Sequence, residues 1–360
     1  MSASRLTGDY ASRVALAIQD KTPEPISGSD HAPAIAVEVA LEPGELQEIR
    51  ARGYWELVWA RFRRDKFAIA GGLLVVFIFL AAFIGAPIMR HVLGHGPNEP
   101  FFGSSSKPLN VWSHVVTPSG HTELLPLGGD DTVLERDVLL RLLYGAQVSL
   151  EVGLGAMLFS MIVGVLLGSI AGYARGWIDA VVSRLTEITM AFPAILFAIA
   201  LASTVGPRLD SVTLGFLSKG VLTLIFVIGV FGWYYPARVV RAQVLSLRER
   251  EFVEAARMTG ASDWRIIRSH ILPHLVGSII VYSTLIVATN ILLEAGLSFL
   301  NVGIKQPDAS WGNLLANATQ YYTVRPFLMI WPGLAVLVTT LAFNLLGDGL
   351  RDAFDPRSGR

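Results

Sequence analysis

From residue 67 onward the chain alternates long apolar runs with short charged segments. "FAIAGGLLVVFIFLAAFIGAPIM", Phe67 to Met89, holds no charged side chain. At 1.5 Å per residue it extends about 34 Å, enough for a hydrocarbon core of about 30 Å. Runs at 148–173, 186–206, 220–237, 275–300 and 327–347 are each near the length a tilted helix needs, so six spans are expected. A charge near a helix centre costs about 2.5–3.5 kcal/mol on insertion, which pushes Arg184 and Glu187 to one end of the third span. Pro193 and Pro332 fall inside spans. Neighbouring helices must satisfy the carbonyls they free, which points to a packed bundle.

The flanks read differently. "RGYWELVWARFRRDKFAI" sets Tyr54, Trp55, Val58 and Trp59 at helical spacing beside a basic cluster, the pattern of an interfacial helix over 54–66. Residues 1–53 mix Pro, Ser, Asp and Glu, as in "KTPEPISGSDHAPA", and form a flexible tail without the apolar core of a signal peptide. The remaining boundaries are an extracytoplasmic loop at 90–147, a core at 148–347 with a polar loop at 238–274, and a tail at 348–360.

Composition agrees with this pattern: 360 residues, 52% hydrophobic, 16% charged and a mean hydropathy of +0.51 describe an all-α polytopic membrane protein. Zero net charge gives no reason to expect nucleic acid. With no cysteine, disulfides, iron–sulfur ligation and thiolate chemistry are excluded. Sixteen lysines and arginines flank the spans on one side and eight on the other, so both termini are expected in the cytoplasm.

On the basic side, "EAARMTGASDWRIIRSHILPH" (Glu254–His274) carries seven ionisable side chains between two apolar runs. Glu254, Ala255, Ala256, Arg257 and Met258 favour a helix, and Gly260 accepts the left-handed conformation that ends one. Ser262 is placed to cap a second helix from Asp263, and Pro273 to kink or cap it. Ala255 and Ala256 leave a bare face between Glu254 and Arg257, which suits either docking into a partner's groove or a loop lying among headgroups.

Glu254-Ala255-Ala256, Gly260 and His270-Ile271-Leu272-Pro273 have the spacing of the EAA loop and resemble the permeases of binding-protein-dependent ABC importers. "RLLYGAQVSL", "LSLREREFVEAAR", "ILLEAGLSFL", "SWGNLL" and "NLLGDGLRDAFDPR" extend the resemblance to the C-type subunit of dipeptide and oligopeptide importers, although Asn301 stands where that subfamily has a glycine-rich run. The resemblance implies a type I importer permease fold with six transmembrane helices. It makes Glu254, Ala255, Ala256, Arg257, Gly260, His270 and Pro273 the ATPase-coupling segment, and Asn290, Glu294, Ser310 and Trp311 pathway or gate candidates. It also implies a homologous permease, two ATPase subunits, an external solute-binding protein and residence in the inner membrane. Peptides are the expected cargo, with nickel or another small solute of the same family as the alternative.

The residues alone leave Glu294 open: an intramembrane carboxylate serves either interior packing or a pathway, and Asn290 lies one turn from it. His91 and His95 have the spacing of a two-histidine metal face but no third ligand nearby. No G-x-x-x-x-G-K-[ST] loop occurs, so the chain is expected to hold no cofactor and to leave ATP to partner subunits. H-E-x-x-H and G-x-S-x-G are absent too, which argues against an enzyme. An ion-coupled carrier would show repeated halves, and no internal repeat is found.

Overall fold

The computed structural model describes residues 53–101, 112–116, 122–130, 134–212, 218 and 220–355. The tail expected over residues 1–53 lies outside them but for Gly53, as do residues 356–360. Among the described residues four helices are long and apolar enough to cross a membrane, and two bent pairs bring the number to six when each pair counts as one span.

Helix α1 (Tyr54–Phe62) precedes α2 (Lys66–Leu80), whose start is fixed by Asp65 accepting from the Phe67 and Ala68 amides at 2.8 and 3.2 Å. A π-helical segment, Ala81–Gly85, joins α2 to α3 (Ala86–Leu93). Pro87, in the first turn of α3, has no amide to give and its ring crowds the carbonyl a turn earlier; local widening relieves both. Among the described residues of the next loop is one hairpin, β1 (Ser113–Val116) with β2 (Thr122–Leu125), antiparallel with Ser113 opposite Leu125. Among the described residues the fold is helical apart from this hairpin and an isolated bridge between Gly129 and Asp137, neither of which periodicity in the apolar runs reveals.

Helix α4 (Val138–Ala174) is the centre of the bundle and begins ten residues before the expected span. Asp137 caps it, accepting from the Leu140 amide at 3.1 Å. Arg141 does not break it because the guanidinium is fully buried, with Nε 3.1 Å from Asp130 and Nη1 donating to Asn98 Oδ1 and the Pro307 carbonyl. The third expected span is two helices, α5 (Gly176–Ala191) and α6 (Ala194–Val212), meeting at 92°. Phe192 is extended there, as a residue before proline prefers. The fourth is α7 (Val221–Gly232) and α8 (Tyr234–Leu247), bent by 40°.

Close approach of α4 to α8 runs along Gly164, Gly168 and Gly172. A β-carbon at Gly168 would stand 2.5 Å from the Ala237 carbonyl oxygen, so only glycine lets the two backbones meet.

After α9 (Glu251–Met258) and a turn come α10 (Asp263–Arg265), a second π-helical segment (Ile266–Ile271) and α11 (Leu272–Phe299). Pro273 sits in the first turn of α11, and again a π-helical segment stands before the proline. The π-helical segment gives the Pro273 ring room, and the helix continues to Phe299. Asn301 closes α11 with a left-handed φ of 61°. Helix α12 (Trp311–Ala318) starts from a capping box of Ser310 and Asn313, and α13 (Phe327–Phe354) carries Pro332 inside it. Helix α13 packs between α11 and α2, and Leu150, Val287, Ile291, Ala342 and Phe343 fill the joint core.

Candidate functional site

The segment around Gly260 is built as a projecting helix and a tight reversal. Gly260 has φ 80°, its amide donates to the Arg257 carbonyl at 2.9 Å, and the Ala261 amide donates to the Ala256 carbonyl at 3.1 Å. This pair of bonds is the Schellman ending that a left-handed glycine permits. Ser262 makes no side-chain cap bond, so the expected capping role fails; the reversal is held by backbone bonds instead.

Helix α9 turns one face to the molecule and one to solvent. Val253 and Ala256 are buried with Tyr173, Val240, Val244, Ile266, Ile267, Ile271 and Leu275. Glu254, Ala255 and Arg257 are exposed, as is Met258 at 83%, and Trp264 on α10 is 55% exposed. The bare face expected of both alanines therefore belongs to Ala255 alone. The helical period carries Ala256, only 8% exposed, into this chain's own core. His270 and Pro273 lie beyond the reversal: the His270 carbonyl accepts from His274 Nδ1 at 2.7 Å, and Pro273 is exposed at the start of α11.

Tyr173 in the last turn of α4 gathers this segment together, and no pattern in the apolar runs singled it out. Its hydroxyl donates to Asp263 Oδ1 at 2.9 Å and accepts from Arg257 Nε at 3.3 Å, while the Arg257 guanidinium stands 5.2 Å from the ring centroid. Its carbonyl accepts from Arg248 Nη1 at 2.6 Å. Beside it, Glu249 receives Arg248 Nε and pairs with Arg175; the Arg248 hydrogen bond foremost, then the Arg175 charge, holds its carboxyl below the usual range.

Toward the opposite end, all four pathway candidates are buried, and Glu294, Ser310 and Trp311 share one polar cluster. Glu294 accepts from Ser149 Oγ at 2.7 Å and from Ser298 Oγ at 2.8 Å. Asn290 donates to the Gly153 carbonyl at 3.2 Å, Trp311 Nε1 to the Leu142 carbonyl at 3.1 Å, and the Trp311 amide to Ser149 Oγ at 3.4 Å. Ser310 caps α12. The network joins α4, α11 and α12 and leaves Glu294 fully buried within this chain.

The histidine pair does not converge. His91 is exposed, whereas His95 is buried with Nε2 3.0 Å from Asp137 Oδ2. Among the described residues no three His, Cys, Asp or Glu side chains are grouped to hold a metal.

A family model described as binding-protein-dependent transport system inner membrane component matches residues 164–360, and one described as the N-terminal TM domain of oligopeptide transport permease C matches residues 53–101. The glutathione transport system permease protein GsiD of Pectobacterium atrosepticum is 36% identical over 312 residues, covering 87% of this chain and 94% of that protein. The dipeptide transport system permease protein DppC of Alkalihalophilus pseudofirmus is 35% identical over 329 residues, covering 91% of this chain and 98% of that protein. Matched by the family model over more than half its length and by these relatives over most of theirs, the chain belongs to the binding-protein-dependent transport system inner membrane components, the membrane permease subunits of ABC importers.

Proposed function

We propose that this permease forms half of the translocation pathway for short peptides, and that α9 with the reversal at Gly260 is where an ATPase drives it. The observation that carries the coupling role is the two-sided build of α9. Val253 and Ala256 weld it to the bundle while Glu254, Ala255 and Met258 face outward, so a push on the outer face is transmitted to α4 and α11. Exposed Met258 and Trp264 supply apolar anchors for such a contact.

The coupling face lies in the cytoplasm with both termini, in keeping with the excess of basic residues on that side. The assembly is a pseudo-symmetric pair with a homologous permease, two ATPase subunits that hold the ATP, and a solute-binding protein at the far side. Alternation between inward and outward packings follows from different affinities of the two ATPase states for the paired coupling helices. Small peptides are favoured as cargo because the two relatives above are named for glutathione and dipeptide transport.

The test is reconstitution with the cognate binding protein and ATPases, comparing the native chain with Met258→Ala and Trp264→Ala. Loss of ATPase co-purification and of peptide-stimulated hydrolysis is expected. Full retention in the double variant would place the coupling contact elsewhere, and uptake of a non-peptide solute in preference to di- and tripeptides would overturn the cargo assignment.

A further inference from the structure

One carboxylate on α4 stands outside the Glu294 network. Glu151 is half-buried and, among the described residues, has no hydrogen-bond or ion-pair partner. Its depth can be read from the neighbouring span. Gln147 donates its amide to the Ala82 carbonyl, which sets α4 level with the first span. Ala82 lies sixteen residues beyond Lys66, about 24 Å along the helix, and Glu151 is one turn nearer the Lys66 end, at about 18 Å. With a hydrocarbon core about 30 Å thick, Glu151 is inside it. A bare carboxylate facing lipid tails at that depth is unfavourable, so the group faces water, a partner or a ligand.

The structure provides a place for the last of these. A cavity of about 320 Å³ lies against Glu151, with Tyr144, Gln147 and Glu151 on one face of α4 and Asn98 and Asp308 across from them. That volume holds about ten waters at ~30 Å³ each. Its charged wall groups are Glu151 and Asp308, both acidic. Behind the wall, Arg141 donates to Asn98 and the Pro307 carbonyl and shares Asp130 with Arg136, so its guanidinium is engaged there rather than by Glu151. Tyr144, Gln147 and Asn98 offer further polar atoms around the charge, as sites for polar ligands do.

We infer that Glu151 is a pathway subsite for the α-ammonium of a transported peptide, with Asp308 and the amides of Asn98 and Gln147 around it. The inference rests on the peptide reading above. A carboxylate and an ammonium form a charge-assisted hydrogen bond that strengthens away from bulk water, and an N-terminal residue fits the volume by displacing its water. Because the site is on the outer half of α4, it would meet the cargo soon after release from the binding protein.

Glu151→Gln removes the charge and keeps the shape, whereas Glu151→Asp keeps the charge. In proteoliposomes with saturating binding protein, Glu151→Gln is expected to lower uptake of a free-amine di- or tripeptide about tenfold, with binding-protein-stimulated ATP hydrolysis kept within about twofold; Glu151→Asp should recover most of the uptake. For an N-acetylated peptide, Gln and native rates should agree. Because the chain lacks cysteine, Glu151→Cys gives it a single thiol. A membrane-impermeant cationic thiol reagent should modify that thiol, and the transported peptide should slow the reaction. Native uptake of the free-amine peptide by Glu151→Gln would overturn the inference. So would a thiol that the reagent never reaches in the assembled importer, which would mean Glu151 is sealed against the sister permease. A native complex that moves no peptide at all would instead overturn the cargo assignment.

Discussion

The Tyr173 hydroxyl at the end of α4 donates to Asp263, at the start of α10, at 2.9 Å across the reversal that follows α9. With Arg257 bonded to the same hydroxyl, one side chain of the central helix holds both sides of the turn at Gly260. Tyr173→Phe keeps the ring beneath Arg257 and loses both hydroxyl bonds. A loss of about 1 kcal/mol is expected, roughly a fivefold bias toward a loose turn. Transport per ATP hydrolysed should fall by a similar factor while the ATPases remain bound; an unchanged ratio in reconstituted importer would reduce Tyr173 to packing.

The neighbouring alanines of α9 should behave oppositely. Ala256→Asp places an unpaired charge among Val253, Val240 and Val244, at a cost of about 3 kcal/mol or more. It should lower the melting temperature of the permease alone. Ala255→Asp, on the exposed face, should leave that temperature within the effect of about 0.5 kcal/mol and weaken ATPase co-purification. A reversed pattern would mean that α9 presents its other face.

For Glu294 the expected loss is structural. Glu294→Leu leaves the Ser149 and Ser298 hydroxyls without their acceptor, worth about 1–3 kcal/mol for each buried group. Glu294→Gln keeps an acceptor oxygen and should melt closer to the native protein. Melting curves in detergent decide it: native stability for the Leu variant would contradict the network.

Gly168→Ala should destabilise by about 1–3 kcal/mol, since its β-carbon meets the Ala237 carbonyl. Gly296→Ala, where a β-carbon meets nothing within 4 Å, should be neutral or stabilising. Equal yields of folded protein from both variants would show that α4 and α8 are not held at glycine distance.

Acid should loosen the turn at Gly260. Glu249 has a folded-state pKa below its ordinary value, so its contribution is complete above the ordinary carboxylate value of about 4.3 and is lost as pH falls through the lower, folded value. Proteolysis of the 248–262 segment should be slow and constant from neutral pH to about pH 4.3 and accelerate below it. Glu249→Gln should be cut rapidly throughout; a protease-resistant Gln variant would remove the ion pairs from any role in holding the turn.

Much of this architecture is written in the apolar runs. The spans at 67–89 and 327–347 lie within helices of the bundle, that at 275–300 overruns its helix by one residue, and the left-handed Gly260 is where the motif puts it. The breaks at Pro193 and Trp233 were less visible, because an apolar run has the same composition whether its helix is straight or bent. The early start of α4 was hidden by Arg136 and Arg141, whose charges read as loop until the buried Asp130 that pairs with them is seen. From sequence Glu294 and Glu151 carry the same signal, a carboxylate within a span. What separates them is three-dimensional: two serines reach one, and no described residue reaches the other.

The π-helical segment at Ile266–Ile271 also fixes an angle. Such a turn holds one residue more than the α-helix around it, and one residue is about 100° of rotation. The azimuth of the whole α11 helix about its axis, and with it the direction in which Asn290 and Glu294 point, is thereby set against α9 by a single residue. Deleting the exposed Ser269 would keep every buried side chain of this segment in the sequence and turn α11 out of phase with α9, so a push on α9 would swing a different face of α11.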